Sequence, residues 1–212
     1  MTENTLFYKD LGLVHYEPTW QAMQKLTETR DETTPDQIWL LEHYPVFTQG
    51  QNGKPEHILA PGDIPVVQVD RGGQITYHGP GQIVAYLLID LRRRKLGIRN
   101  LVTAIEQSVI DLLAEYNITA EARRDAPGVY IGNSKIASLG LRVKRGCSYH
   151  GLAFNIDMDL EPFSRINPCG LTNIQMTQVK DLAKDCNIEQ IKTQLLNYFS
   201  KHLGYDKLQI WT

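Results

Sequence analysis

The chain has 212 residues, of which 42% are hydrophobic and 22% charged, the usage of an ordinary folded domain. That length favours one sizeable domain, 1–212, able to bury about 70% of its surface without disulfide or metal staples. Twenty-two Lys and Arg against 24 Asp and Glu leave a net charge of −2, so the overall basic field that would gather nucleic acid is absent.

In chain order, a strand is expected at Leu6 to Tyr8, followed by a helix over Pro18 to Arg30 with Trp20, Met23 and Leu26 at helical spacing. Strands then read at Gln37 to Glu42, Val66 to Asp70 and Gln82 to Asp90, each bounded by Gly, Pro or Asn. A second helix runs from Asn100 to Tyr116, its stripe made by Leu101, Ile105, Val109, Leu112 and Tyr116. Strands follow at Gly128 to Ile131, Lys135 to Val143 and Tyr149 to Ile156. A third helix starts after Asn187, a good N-cap, aligns Ile188, Ile191, Leu195, Phe199 and Leu203, and is closed by Gly204. Helices mixed irregularly with neighbouring strands imply an α+β (mixed α/β) single domain with mixed sheets flanked by helices.

The first ten residues carry acids and no long apolar run, which argues against a signal peptide. The longest apolar stretch, Ile83 to Ile89, is far short of a membrane span. Three cysteines, Cys147, Cys169 and Cys186, make no disulfide framework and no CxxC zinc pair. A cytoplasmic protein with no membrane partner is expected.

Three segments carry chemistry. Arg71 to Gln82 packs four glycines, a proline and His78 into twelve residues behind an apolar strand. It reads either as a tight hairpin with a satisfied histidine or as a loop whose amides approach a ligand; it matches neither GxxxxGK[ST] nor GxGxxG, which disfavours a phosphate loop. In Asn167-Pro168-Cys169-Gly170 the cysteine sits on a turn, a place that exposes a thiol beside free backbone amides. For Cys147 and Cys186 a small buried apolar role is the simpler reading. In Ser134 to Arg142, strict alternation puts Lys135, Ala137 and Leu139 on one face, opposite Ile136 and Ser138. A lysine facing inward there needs a partner or a task; facing outward it is an ordinary solvated lysine. Cys147 and His150 offer too few ligands for a metal site, and only His202 follows Cys169, a weak basis for a Cys/His hydrolase.

Taken together, the run Arg71 to Gln82 (RGGQITYHGPGQ), Ser134 to Arg142 (SKIASLGLR), His150 to Asn155 (HGLAFN) and the NPCG turn at Asn167 to Gly170 resemble the octanoyl-[acyl-carrier-protein]:protein N-octanoyltransferase family, over most of the chain. Leu87 and Leu171 depart from it, standing where relatives often have Pro and Tyr. The resemblance implies a fold related to biotin and lipoate protein ligases, and transfer of an octanoyl group without ATP, metal or other cofactor. It implies Cys169 as the acyl-accepting nucleophile and Lys135 as its activating partner. It also implies an acyl site lined by Arg71, Gly72, Gly73, Gln74, Ile75, Thr76, Tyr77 and His78, by Ser138, Leu139 and Gly140, and by Gly151, Leu152 and Ala153. The implied donor is octanoyl-acyl-carrier-protein. The implied acceptors are lipoyl domains of 2-oxoacid dehydrogenases and the glycine-cleavage H protein, visited by a monomer. An ordinary cysteine is only about 3% thiolate at pH 7, so an adjacent ammonium at Lys135 would serve the first step, and a neutral Lys135 the second. Arg92 to Lys95 and the group Arg142, Lys144 and Arg145 read either as docking charges for an acidic carrier or as solvated surface. The rivals are an ATP-dependent ligase of the same fold, which would not need Cys169, and a non-catalytic acyl-binding module.

Overall fold

The computed structural model describes residues 4–167, 175–183 and 186–211. In chain order the elements are β1 (Thr5–Val14), α1 (Tyr16–Thr29), β2 (Gln37–His43), β3 (Val46–Gln49), β4 (Val66–Gln68), β5 (Ile75–His78), β6 (Gln82–Leu88), α2 (Ile98–Glu115), β7 (Glu121–Ala122), β8 (Gly128–Ile131), β9 (Ser134–Lys144), β10 (Cys147–Asn155), β11 (Gln175–Met176), α3 (Ile188–Leu203) and β12 (Lys207–Ile210). The large sheet runs β12-β1-β2-β6-β10-β9-β8-β7, with β11 beside β9. Parallel pairing at β12/β1, β1/β2 and β11/β9 mixes with antiparallel pairing elsewhere. A small sheet, β4-β3-β5, stands apart. This is the α+β arrangement with mixed sheets that the irregular order of elements implies.

Alternation along the central strands feeds two layers. Ile38, Leu40, Ile83, Ala85, Leu152 and Phe154 face α2 and α3, whose stripes supply Leu101, Ile105, Val109 and Leu112, then Ile191, Leu195, Phe199 and Leu203. Their neighbours Trp39, Leu41, Val84, Tyr86 and Ala153 face the opposite way, onto Met23, Trp20 and Leu26 of α1. Both faces of the sheet are thus covered, and β6 reads as an unbroken apolar run because every one of its residues is buried. At the start of α3 the Asn187 side chain accepts from Glu189 N and Gln190 N at 2.9 and 3.1 Å, and Gly204 ends the helix in the left-handed conformation.

Several strands have no counterpart in the periodicity. β1 continues past Tyr8 to Val14 through a bulge, where Gly12 N donates to Asp10 Oδ1 at 3.0 Å and breaks the alternation. β12 is an exposed edge and β7 only two residues, so neither carries an apolar pattern. β3 and β5 pair with each other, so the glycine-rich segment holds a real strand at its centre and a tight turn after it, where Gln82 N donates to Gly79 O at 3.2 Å.

Two arginines of the basic run after β6 are tied into the fold by hydrogen bonds, although the run itself lies at the surface. Arg93 donates to Asp36 at 2.7 Å and to the carbonyls of Glu32 and Thr34. Arg94 reaches the carbonyls of Leu203 and Gly204 and lies over the Tyr205 ring. With Arg30 and the Tyr205 hydroxyl also on Asp36, these arginines tie the β2 and β6 ends to α3. Of the three arginines, Arg92 is the one whose side chain is mostly solvated.

Candidate active site

A cavity of about 760 Å³ opens between the glycine-rich segment, β9 and β10. Arg71 to Thr76 form one wall, with His78 beyond them. Ser138, Leu139 and Gly140 of β9 and Gly151, Leu152 and Ala153 of β10 form another, and Lys135 closes an end. Glycines let the walls approach. A Cβ on Gly140 would stand 3.1 Å from Gly72 O and from Arg71 Cδ, and Gly72 N donates to Leu141 O at 3.0 Å. Tyr77 takes no part in this wall; it is turned onto Phe47 and Phe163, in the apolar layer below the small sheet. Cys169 lies outside the described residues.

The polar residues of the separate motifs form one hydrogen-bonded chain. Arg71 donates to Thr48 O and Oγ1 at 2.5 and 2.9 Å. The Thr48 hydroxyl meets His78 Nε2 at 3.2 Å, and His78 Nδ1 donates to Gln82 Oε1 at 2.7 Å. Gln82 Nε2 donates to Asn155 Oδ1 and Asn155 Nδ2 to Thr177 O, both at 3.0 Å. Thr177 N then donates to Lys135 O at 3.0 Å. Residues from three of the four motifs, joined through Thr48 and Thr177, therefore fix one another's positions, and the backbone of Lys135 is the chain's last link. Burial, with His43 nearby, pushes the His78 imidazole well below its ordinary pKa, so it works here as a neutral donor and acceptor.

Asp70, just before the glycines, gathers four donors from two elements, α1 and β10. It accepts from Trp20 Nε1 at 2.9 Å, Gln24 Nε2 at 3.3 Å, His150 Nε2 at 2.9 Å and the Tyr149 hydroxyl. Burial alone would raise its carboxyl pKa, but the bonds from His150, Tyr149 and Trp20 hold it well below the usual range. An ionised Asp70 is acceptor-only, so the His150 proton sits on Nε2, and Nδ1 is buried without a hydrogen-bond partner among the described residues. His150 holds φ +59 in mid-strand, and that backbone turn lets its ring stack on Tyr149. Asp70→Ala removes the shared acceptor and is expected to cost about 3 kcal/mol in urea unfolding at neutral pH. A loss within experimental error of zero would show that the four donors find other partners.

Lys135 is buried, 4% exposed. Its surroundings differ from simple alternation because β9 carries a bulge. Lys135 pairs with Tyr130 and Ala137 with Val129, leaving Ile136 as the extra residue. Tyr130 and Val129 point to opposite faces, so Lys135 and Ala137 do as well, and Ile136 and Ala137 share the α2 side. The bulge therefore lifts Lys135 out of the apolar layer, and its Nζ lies 5.2 Å from the centre of the Tyr130 ring.

Motif reading did not find Tyr16, Tyr86, Ile98 and Val102, which also line the cavity, nor the segment from Asp125 to Pro127. They stand on helices, mid-strand or in a loop, where an isolated aromatic or aliphatic residue reads as core. His43, left without a partner from sequence, is buried between Val14 O and the Tyr86 hydroxyl. Cys147 is buried and Cys186 half-buried, both free thiols. Among the described residues no three His, Cys, Asp or Glu side chains converge on a metal position, and no helix is long and apolar enough to cross a membrane.

A mixed sheet with helices on both faces, enclosing a cavity walled by glycine-rich backbone and ended by a buried lysine, defines a class: the model of the lipoyl protein ligase A/B catalytic domain family matches residues 15–200. A bipartite lipoate protein ligase from Thermoplasma acidophilum superposes with a TM-score of 0.76 at 15% identity, over 100% of this chain and 88% of that one, which is a likeness of fold. Two curated relatives are much nearer in sequence. The octanoyltransferase of Hahella chejuensis is 59% identical over 204 residues, 96% of this chain and 91% of that one. That of Pseudomonas fluorescens is 60% identical over 201 residues, 95% and 94% of the two chains. The chain belongs to the octanoyltransferase family within the lipoyl protein ligase A/B class.

Proposed function

We propose that the protein moves an octanoyl group from octanoyl-acyl-carrier-protein, through a thioester on Cys169, to the lysine amine of lipoyl domains, the first step of endogenous protein lipoylation. The observation that carries this reading is the buried Lys135 lining a cavity of about 760 Å³, ample for an octanoyl chain, in a chain 60% identical to a named octanoyltransferase. Acceptors of the lipoyl-domain type, in 2-oxoacid dehydrogenases and the glycine-cleavage H protein, follow from the same relationship. One catalytic domain, 1–212, acting as a monomer in the cytoplasm, completes the proposal.

The chemistry balances without an energy source. The Cys169 thiolate adds to the donor carbonyl, the new C–S bond forms, and the carrier thiolate leaves with the proton of the Lys135 ammonium. Lys135 is then neutral. When the acceptor amine attacks, Lys135 takes its proton, the Cys169 thiolate leaves, and the ammonium–thiolate pair is restored. The first step exchanges one thioester for another and the second makes an amide, so both proceed without an adenylate. Backbone amides beside the cysteine, or at Gly140, supply donors for the oxyanion.

Intact mass after mixing the protein with octanoyl-carrier and no acceptor tests this. Wild type is expected to gain one hydroxylamine-labile octanoyl group, Cys169→Ala none, and Lys135→Ala an adduct that forms at least about a hundredfold more slowly. An unlabelled wild type that acylates its acceptor only when ATP is added would assign the protein to the ligases.

A further inference from the structure

We propose that Glu106 of α2 is a positioning residue for acyl transfer, clamping the backbone beneath Lys135 and lending that lysine a negative charge that favours its protonated form. This rests on Lys135 being the partner of Cys169. Glu106 is 8% exposed and sits in the buried stripe of α2 between Leu101, Ile105 and Val109, a costly place for an acid without a task. Its Oε1 accepts the backbone N–H of Gly128 at 2.9 Å. Gly128 is where the cavity-lining Asp125–Pro127 segment turns into β8, and its Cα lies against the lysine. A Cβ built there would be 2.5 Å from Lys135 Cε and 3.1 Å from Nζ. One backbone residue thus separates carboxylate from ammonium. Burial raises the Glu106 carboxyl pKa, while the Gly128 bond and the Lys135 charge draw it back down.

Other groups also stand near Lys135. Tyr130 presents its ring, and the Arg123 guanidinium lies over that same ring at 4.5 Å. Met176 of β11, paired with Lys135, is uncharged, and Asp125 lines the shared cavity. Glu106 is the carboxylate that the fold fixes through a buried hydrogen bond on this side.

A helix–loop clamp alone would be served equally by glutamine, so charge is the discriminating property. Cys169 and Lys135 titrate as a pair, first forming thiolate beside ammonium, then losing the ammonium proton. A carboxylate beside the ammonium opposes loss of the ammonium proton, so removing it lowers the apparent pKa of that second step.

The test is the pH profile of Cys169 alkylation by iodoacetamide, read at the Cys169 peptide by mass spectrometry on the full chain. In E106Q the upper limb is expected to move to lower pH by roughly 0.5 to 1 unit, while Glu106→Asp stays with the wild type. In a Lys135→Ala background E106Q is expected to leave the remaining single limb within about 0.2 unit, the pair being gone. An E106Q profile superposed on the wild type, or equal shifts in E106Q and Glu106→Asp, would overturn the inference and leave Glu106 as a structural clamp. A wild-type profile that Lys135→Ala does not change would instead remove the Lys135 reading on which the inference stands.

Discussion

Gly128→Ala is expected to slow octanoyl transfer by roughly a hundredfold or more, because displacing a reacting group by about 1 Å is enough for that loss. The new methyl would stand 2.5 Å from Lys135 Cε and 2.6 Å from Ala137 O. The lysine tip can swing away, but the carbonyl belongs to the neighbouring strand and cannot. Gly128 also holds φ +146, which an alanine adopts only with strain of about 1 to 3 kcal/mol. Both effects fall on the residue whose N–H donates to Glu106 and which floors the lysine. Turnover on octanoyl-carrier, with a melting curve recorded beside it, checks the expectation. A large loss of rate with a melting point lowered by only a few degrees supports it. Near wild-type turnover would mean that the loop and Lys135 move together without cost.

Acidification from about pH 7 to about pH 5.5 is expected to destabilise the protein steeply, by up to about 4 kcal/mol per pH unit if all three buried histidines contribute. Burial lowers the imidazole pKa of His43 to about 4, of His78 well below its ordinary value, and of His150 in the same direction. In the unfolded chain each titrates near 6.5. Below that value the unfolded state takes up protons that the native state refuses, so their contribution is complete above about pH 6.5 and is lost as pH falls toward the native values. Urea unfolding across this range gives the slope, and His43→Gln, which keeps a polar side chain beside Tyr86, is expected to reduce it by about one proton's worth. A stability that stays flat down to about pH 5.5 would mean that the native protein already carries charged imidazoles there.

What was legible in the sequence was what one element decides alone. The stripes of α2 and α3 and the Asn187 and Gly204 ends follow from local spacing and capping, and they stand where the periodicity puts them. The glycine-rich segment, the SKIASLGLR strand and the HGLAFN strand line one cavity, a convergence that the family resemblance implied and local composition did not. What stayed hidden depends on partners far apart in the chain. His150 meets Asp70 across eighty positions, and Glu106 meets Gly128 across twenty-two. An acid on a helix ordinarily belongs to the solvated face, so nothing local marks Glu106 as buried. The wrong face for Lys135 has the same origin, since period-two counting assumes a regular ladder and the partner strand β8 decides where it breaks.

That break makes Ile136 a spacer as well as a core residue. Side chains on its N-terminal side are set half a turn out of phase with those after it, so the strand presents aliphatic groups to the helical layer and an amine to the opposite side within three positions. Register, in this strand, encodes direction. Drawing Ile136 into the ladder as an ordinary rung would bring Lys135 into phase with Ala137 and aim its ammonium at the aliphatic layer under α2, because every second residue of a regular strand shares a face. The amine keeps to the cavity side for as long as position 136 stays outside the pairing, whichever side chain it carries.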